Sequence, residues 1–169
     1  RQDARMGRSR PEAVEALRTS IQAQLESARG LRLRRDQWVV RRALYKDYER
    51  SVGSHLRLMA QVQPSLDAIR RLDGPSPASL NSLHARLDGG ADKLVRIAIG
   101  VPQDLRDAHD LLVNAWRFAE RAVRARSDAV SSGNLATAWE ASSAAAGAML
   151  MFGRAQQDIT ELLEPPTLQ

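Results

Sequence analysis

The stretch YKDYERSVGSHLRLMAQVQPSLDAI, residues 45–69, decides the fold class of this chain. Within it, and just before it, mostly apolar side chains fall in two rows, each repeating every seven residues. One row is Trp38, Tyr45, Val52, Met59 and Leu66, and the other is Tyr48, His55, Val62 and Ile69. Such a repeat predicts a helix that packs at a shallow angle against neighbouring helices in a bundle.

Apolar stripes of helical period also occur on both sides of this stretch, and no segment alternates with a period of two. The predicted helices cover roughly 11–29, 33–72, 78–99, 103–131 and 135–163. Pro64 is expected to kink or break the long second helix near 61–64, because proline removes a backbone hydrogen bond and clashes with the preceding turn. The last two helices, joined by Ser131-Ser132-Gly133-Asn134, are expected to form an antiparallel hairpin.

These helices predict an all-α fold, an up-down antiparallel bundle of four helices, or of five if the second helix is split at Pro64. Residues 11–164 are predicted to form a single domain, preceded by a flexible basic lead-in at 1–10 and followed by a tail at 165–169. Only 4% of the 169 residues are aromatic, so the core must be built mainly from aliphatic side chains, as suits helices. The absence of cysteine excludes disulfides, thiol nucleophiles and zinc–thiolate sites.

Positive charge is concentrated in the first third of the chain. Residues 1–50 carry thirteen Lys and Arg against seven Asp and Glu, whereas residues 51–169 carry twelve against thirteen. The candidate basic interaction surface comprises Arg32, Arg34, Arg35, Arg41, Arg42 and Lys46, around Trp38. These side chains suit three interpretations: an ordinary arginine-rich surface, a site near anionic lipid headgroups, and phosphate contacts with nucleic acid. The interleaved Asp36, Asp47 and Glu49 weaken the nucleic-acid interpretation.

No motif indicates catalysis, so the chain is predicted not to be an enzyme and to need no cofactor. There is no Gly-x-Ser-x-Gly and no glycine-rich phosphate loop. The di-iron bundle signature needs a glutamate three residues before a histidine, and none of the three histidines has one. A haem site using His55 and His109, with Met59 or Met149, stays open, although hydrogen-bonded structural histidines are the preferred interpretation.

The run from Ala141 to Ala148 consists of small residues, which allow another helix to approach closely. Its candidate close-packing positions are Ala141, Ala144, Ala145 and Ala148. Packing inside the molecule is the default interpretation, and self-association is the alternative.

Residues 102–164 carry Pro102, Leu105, Ala108-His109 and Leu112, then Ser132-Gly133-Asn134 and Ala138-Trp139. This pattern resembles the C-terminal hairpins of uncharacterised helical-bundle domains in bacterial exported proteins and lipoproteins. The resemblance covers about a third of the chain and implies an envelope location, with no established activity and no functional residues to carry over.

The chain is therefore expected to be a non-catalytic interaction or scaffolding domain of the bacterial envelope, close to a membrane through its basic N-terminal end. Its partners would be a protein, either itself or a larger envelope complex, and an anionic membrane surface. A signal peptide or anchor upstream of Arg1 would fit this location. The alternatives are a cytoplasmic nucleic-acid-associated bundle and a haem- or metal-binding bundle.

Overall fold

A computed structural model describes residues 11–71 and 74–167, and the predicted lead-in at 1–10 lies outside them. The helices are α1 (Pro11–Ile69), α2 (Pro77–Leu87), α3 (Gly90–Ile97), α4 (Arg106–Ser132) and α5 (Leu135–Leu163). Two short 3-10 turns, Ala98–Gly100 and Gln103–Leu105, lie between α3 and α4. No strand occurs in these ranges, so the prediction of an all-α fold is confirmed.

The first two predicted helices are in fact one helix of 59 residues, α1. Gly30 does not end the helix, because a single glycine costs only about 1 kcal/mol relative to alanine and helical residues follow it. Pro64 does not break it either, since α1 continues to Ile69. Both Pro64 and Ala60, whose carbonyl loses its backbone donor to the proline, are exposed, so water can hydrogen-bond that carbonyl.

The chain divides into two compact units. One unit comprises residues 1–42 and 165–169, and the other, here called the helical domain, comprises Ala43–Glu164. The division therefore falls inside the segment 11–164 that the sequence predicts as one domain. Residues 11–42, the part of α1 in the first unit, are here called the arm.

The core of the helical domain contains most of the two heptad rows that identified the fold class, whereas Trp38 lies on the arm. Val52, Met59 and Leu66 of one row are fully buried, as are Val62 and Ile69 of the other. None of the arm side chains that the structure describes, from residue 13 to residue 42, is buried. The apolar periodicity of the arm therefore produces an exposed stripe, whereas that of the helical domain produces a core.

The predicted third helix, 78–99, is interrupted where α2 ends and α3 begins. Gly89 adopts a left-handed conformation, with φ of +66°, which ends α2 and redirects the chain. A Cβ atom at the next residue, Gly90, would lie 1.9 Å from Nε1 of Trp116. That indole nitrogen donates to the Leu87 carbonyl at 2.9 Å. The two glycines thus leave room for the Trp116 indole to donate a hydrogen bond to the carbonyl of Leu87, the last residue of α2.

Helices α4 and α5 form the hairpin that the sequence predicts, packed against each other along their length. Gly133 caps α4 in a left-handed conformation, and the side chain of Asn134 accepts from the Ala136 amide at 2.9 Å to cap α5. Helix α4 begins at Arg106 instead of the predicted residue 103, because a 3-10 turn occupies residues 103–105. None of the helices in the described ranges is long and apolar enough to cross a membrane.

Candidate functional site

The predicted basic surface does not form a single patch. All six of its residues are exposed, and five of them lie on the arm while Lys46 belongs to the helical domain. At about 100° per residue, Arg32, Arg35 and Arg42 share one face of the arm. Arg34 and Arg41, seven residues apart, share a different face. The arm therefore carries arginine around much of its circumference between residues 32 and 42.

One arginine of this surface is partly held in place by an aromatic ring. The guanidinium carbon of Arg42 lies 5.5 Å from the centre of the Trp38 ring, within the range of a cation–π contact. Trp38 itself is half-buried. This contact leaves the Arg42 guanidinium charged and accessible, since Arg42 is exposed.

The arm carries an apolar stripe that the sequence predicts to pack against other helices, and this stripe is exposed. We call Val14, Leu17, Ile21, Leu25 and Ala28 the arm stripe. Its four larger side chains are between 49% and 61% exposed. Periodicity identified the stripe as one helix face but could not show whether that face is covered.

His109 lies in the interior of the helical domain, with 1% of its surface exposed. Its Nε2–H donates to the Leu94 carbonyl at 3.1 Å, and its Nδ1 accepts from the Tyr48 hydroxyl at 3.3 Å. Burial lowers the pKa of His109, although the Leu94 carbonyl and Asp110 act in the opposite direction. Both ring nitrogens thus have protein partners, as expected of a structural histidine.

His55 does not join His109 in a ligand pair. Its ring packs edge-on against Trp116, with centroids 5.3 Å apart, and burial followed by the charge of Lys93 lowers its pKa. In residues 11–71 and 74–167, no group of three or more His, Asp and Glu side chains could hold a metal ion.

Two carboxylates of the helical domain also take part in internal contacts. The Tyr45 hydroxyl donates to Asp104 at 2.6 Å, and the Ala91 amide donates to Glu120 at 3.4 Å. Burial raises the pKa of Glu120, and the Ala91 amide partly offsets this. These contacts join different elements of the domain, so they stabilise its tertiary structure.

The four candidate close-packing alanines lie in the interior of the helical domain. Ala141, Ala145 and Ala148 are fully buried, and Ala144 is nearly so. On the same helix, Gly147 faces the ring of Phe118 in α4. The small residues of α5 thus allow close approach to a neighbouring helix, and the alanines are not exposed to a second chain.

An exposed apolar surface of the helical domain was not predicted from the sequence. Trp139 is 68% exposed, and Leu135 beside it is 70% exposed. They border a small cavity of about 70 Å³, lined also by Ile69 and Arg126. Their spacing of four residues is typical of one helix face, and periodicity does not show whether such a face is covered.

Arg126, next to this cavity, is nearly buried and lies against Gly74. Gly74 has a φ of +55°, and a Cβ atom there would lie 2.0 Å from Nη2 of Arg126. Glycine is therefore required at this position both for the backbone and for the arginine.

Comparison of the chain with protein-family models, with curated proteins and with solved structures finds no significant match.

Proposed function

We propose that this chain is a non-catalytic interaction module of the bacterial envelope, in which the arm is the docking element and binds next to an anionic membrane surface. The division of charge carries this proposal. The unit that contains the arm has eleven arginines against five acidic residues, a net charge of +6, whereas the helical domain has a net charge of −1. An anionic partner would therefore be attracted to the arm and not to the helical domain.

The basic end of the arm, residues 29–42, has the composition that anionic lipid surfaces attract. It contains six arginines and one aspartate, a net charge of +5, in a single helix on which all six arginines are exposed. Each such residue near an anionic leaflet contributes about 1 kcal/mol, and the attraction falls off within a Debye length. The proposed contact is therefore electrostatic and sensitive to salt.

The helical domain would act as the support of the arm. We propose that it is an up-down antiparallel bundle, which the extensive α4–α5 interface and their two-residue connection support. Its buried His109 and Tyr45 form hydrogen bonds to Leu94 and Asp104 in other elements of the domain, which supports a structural role for them. The envelope location is proposed on the resemblance of the sequence pattern at residues 102–164 alone.

Vesicle co-sedimentation of the full chain tests the membrane contact. We expect binding to vesicles of phosphatidylcholine with phosphatidylglycerol, little binding to phosphatidylcholine alone, and release as salt is raised. Replacing Arg32, Arg35 and Arg42 together by Gln is expected to weaken binding on the order of 100-fold, because three charges of about 1 kcal/mol each are lost.

A matched control separates the arm from net charge in general. The helical domain offers three exposed arginines, Arg96, Arg106 and Arg117, whose joint replacement by Gln makes the same change in charge. We expect this variant to bind vesicles as the unchanged chain does. An equal loss in both triple variants would contradict a docking role of the arm, and tighter binding to duplex DNA than to the vesicles would favour the nucleic-acid alternative.

A further inference from the structure

The arm stripe has a spacing that reads the same in both directions. Its residues are separated by three, four, four and three positions, with Ile21 in the middle. If a second copy of the arm lies antiparallel with the two Ile21 side chains opposite each other, apolar residues meet along the whole stripe. Leu17 then faces Leu25 of the partner subunit, and Val14 faces the partner's Ala28.

The charges beside the stripe follow the same spacing, one residue later. We call Glu15, Arg18, Gln22, Glu26 and Arg29 the charged flank. All five are exposed, and no ion pair within the described part of the chain engages its four charged members. The opposite side of the stripe is uncharged and consists of Ala13, Ala16, Ser20, Gln24 and Ser27.

Antiparallel pairing matches the charged flank with itself in the reverse order. Helices that run antiparallel bring the same flank of both copies together, which places Glu15 opposite the partner's Arg29 and Arg18 opposite the partner's Glu26. Both contacts occur twice by symmetry. The two central Gln22 side chains then face each other, so every member of the flank meets a compatible side chain.

Parallel pairing lacks this complementarity. The charged flank of one copy would then face the uncharged flank of the other, and no ion pair would form. The segments 30–42, each with a net charge of +4, would also lie side by side. In the antiparallel arrangement these basic segments extend beyond opposite ends of the paired region, where they repel each other least.

We propose that two copies of this chain associate through their arm stripes as an antiparallel pair, with Ile21 on the two-fold axis. The pair is an isologous contact of the kind that closes at two subunits. It goes beyond the proposed membrane contact and does not depend on it, because the stripe at residues 14–28 and the arginines of residues 32–42 occupy different segments of the arm. A pair would present two basic segments to one surface.

Disulfide cross-linking of the full chain tests the register directly, because the protein has no cysteine of its own. Three variants each carry one cysteine: Ile21→Cys, Leu17→Cys and Leu25→Cys. Under mild oxidation without lipid we expect Ile21→Cys to form a covalent dimer, since only there do identical residues come within disulfide distance. Leu17→Cys and Leu25→Cys should each stay uncoupled alone and cross-link when the two are mixed.

Sedimentation equilibrium of charge variants provides the second measurement. Arg18→Glu is expected to weaken dimerisation about tenfold, because it turns two attractions into repulsions. Adding Glu26→Arg should restore the affinity, since the pairs are then re-formed with reversed signs. Arg34→Glu, outside the paired segment, makes the same change in charge and is expected to leave dimerisation unchanged or slightly stronger.

Two results would overturn the proposal. One is a chain that stays at the monomer mass of 18.7 kDa at all concentrations without cross-linking. The other is self-cross-linking of Leu17→Cys and Leu25→Cys, which indicates a parallel pair. Neither result bears on vesicle binding, so failure of the pairing and failure of the membrane contact are distinguishable.

Discussion

Individual buried side chains set the pH dependence of the helical domain. His109 is enclosed and hydrogen-bonded as the neutral imidazole, and burial lowers its pKa below the ordinary value of 6.5. Below that pH the unfolded chain binds more protons at this residue than the folded chain does. The contribution of His109 is therefore fully present above about pH 6.5 and is lost as the pH falls.

We expect the free energy of unfolding to fall between pH 7.5 and pH 5.5, and to fall less steeply in the His109→Gln variant. Urea titrations at several pH values measure both slopes. The variant will be less stable at every pH because it loses the contacts to Tyr48 and Leu94, so the slope is the informative quantity. His55 keeps part of the dependence, since burial lowers its pKa as well. An unchanged slope would contradict the assignment to His109.

At the scale of helices and turns, the sequence predicted helix boundaries correctly where the residues next to the boundary determine it. Gly133 caps the end of α4 and Asn134 caps the start of α5. Helix α5 begins and ends as predicted, at Leu135 and Leu163. Gly30 and Pro64 misled the prediction, because each weakens a helix by an amount that the surrounding residues can overcome. The break after α2 depends on Trp116, which is distant in sequence and could not be foreseen.

The break between α2 and α3 should not tolerate a side chain at Gly90. We expect Gly90→Ala to lower the free energy of unfolding by about 2–4 kcal/mol, because the added carbon displaces the Trp116 ring and weakens its hydrogen bond to Leu87. Chemical denaturation measures the loss. Gly100→Ala is the matched control, since a Cβ atom there meets nothing within 4 Å.

A double-variant cycle assigns the cost of Gly90→Ala to the indole. In a Trp116→Phe background the smaller ring leaves room for the new carbon, so the same alanine is expected to cost less. An equal cost in both backgrounds would show that the ring is not what excludes a side chain from this position.

For the whole molecule, the distribution of charge along the chain predicted the basic unit, whereas the spacing of individual residues did not predict how their side chains are arranged. The excess of positive charge in the first third corresponds to the unit that contains the arm. The arrangement of its arginines was not predictable from their closeness in sequence, because Arg34 and Arg35 point in directions 100° apart on a helix. The exposure of the arm stripe was missed for a related reason: periodicity identifies an apolar face but not what covers it.

Hydrogen–deuterium exchange of the full chain, with and without vesicles containing phosphatidylglycerol, tests the central claim most directly. If the arm is the docking element, amides within residues 29–42 will exchange more slowly when vesicles are present, and those of α4 and α5 will be unaffected. Vesicles that bind the chain but slow exchange only in the helical domain, or nowhere in the arm, would contradict the account.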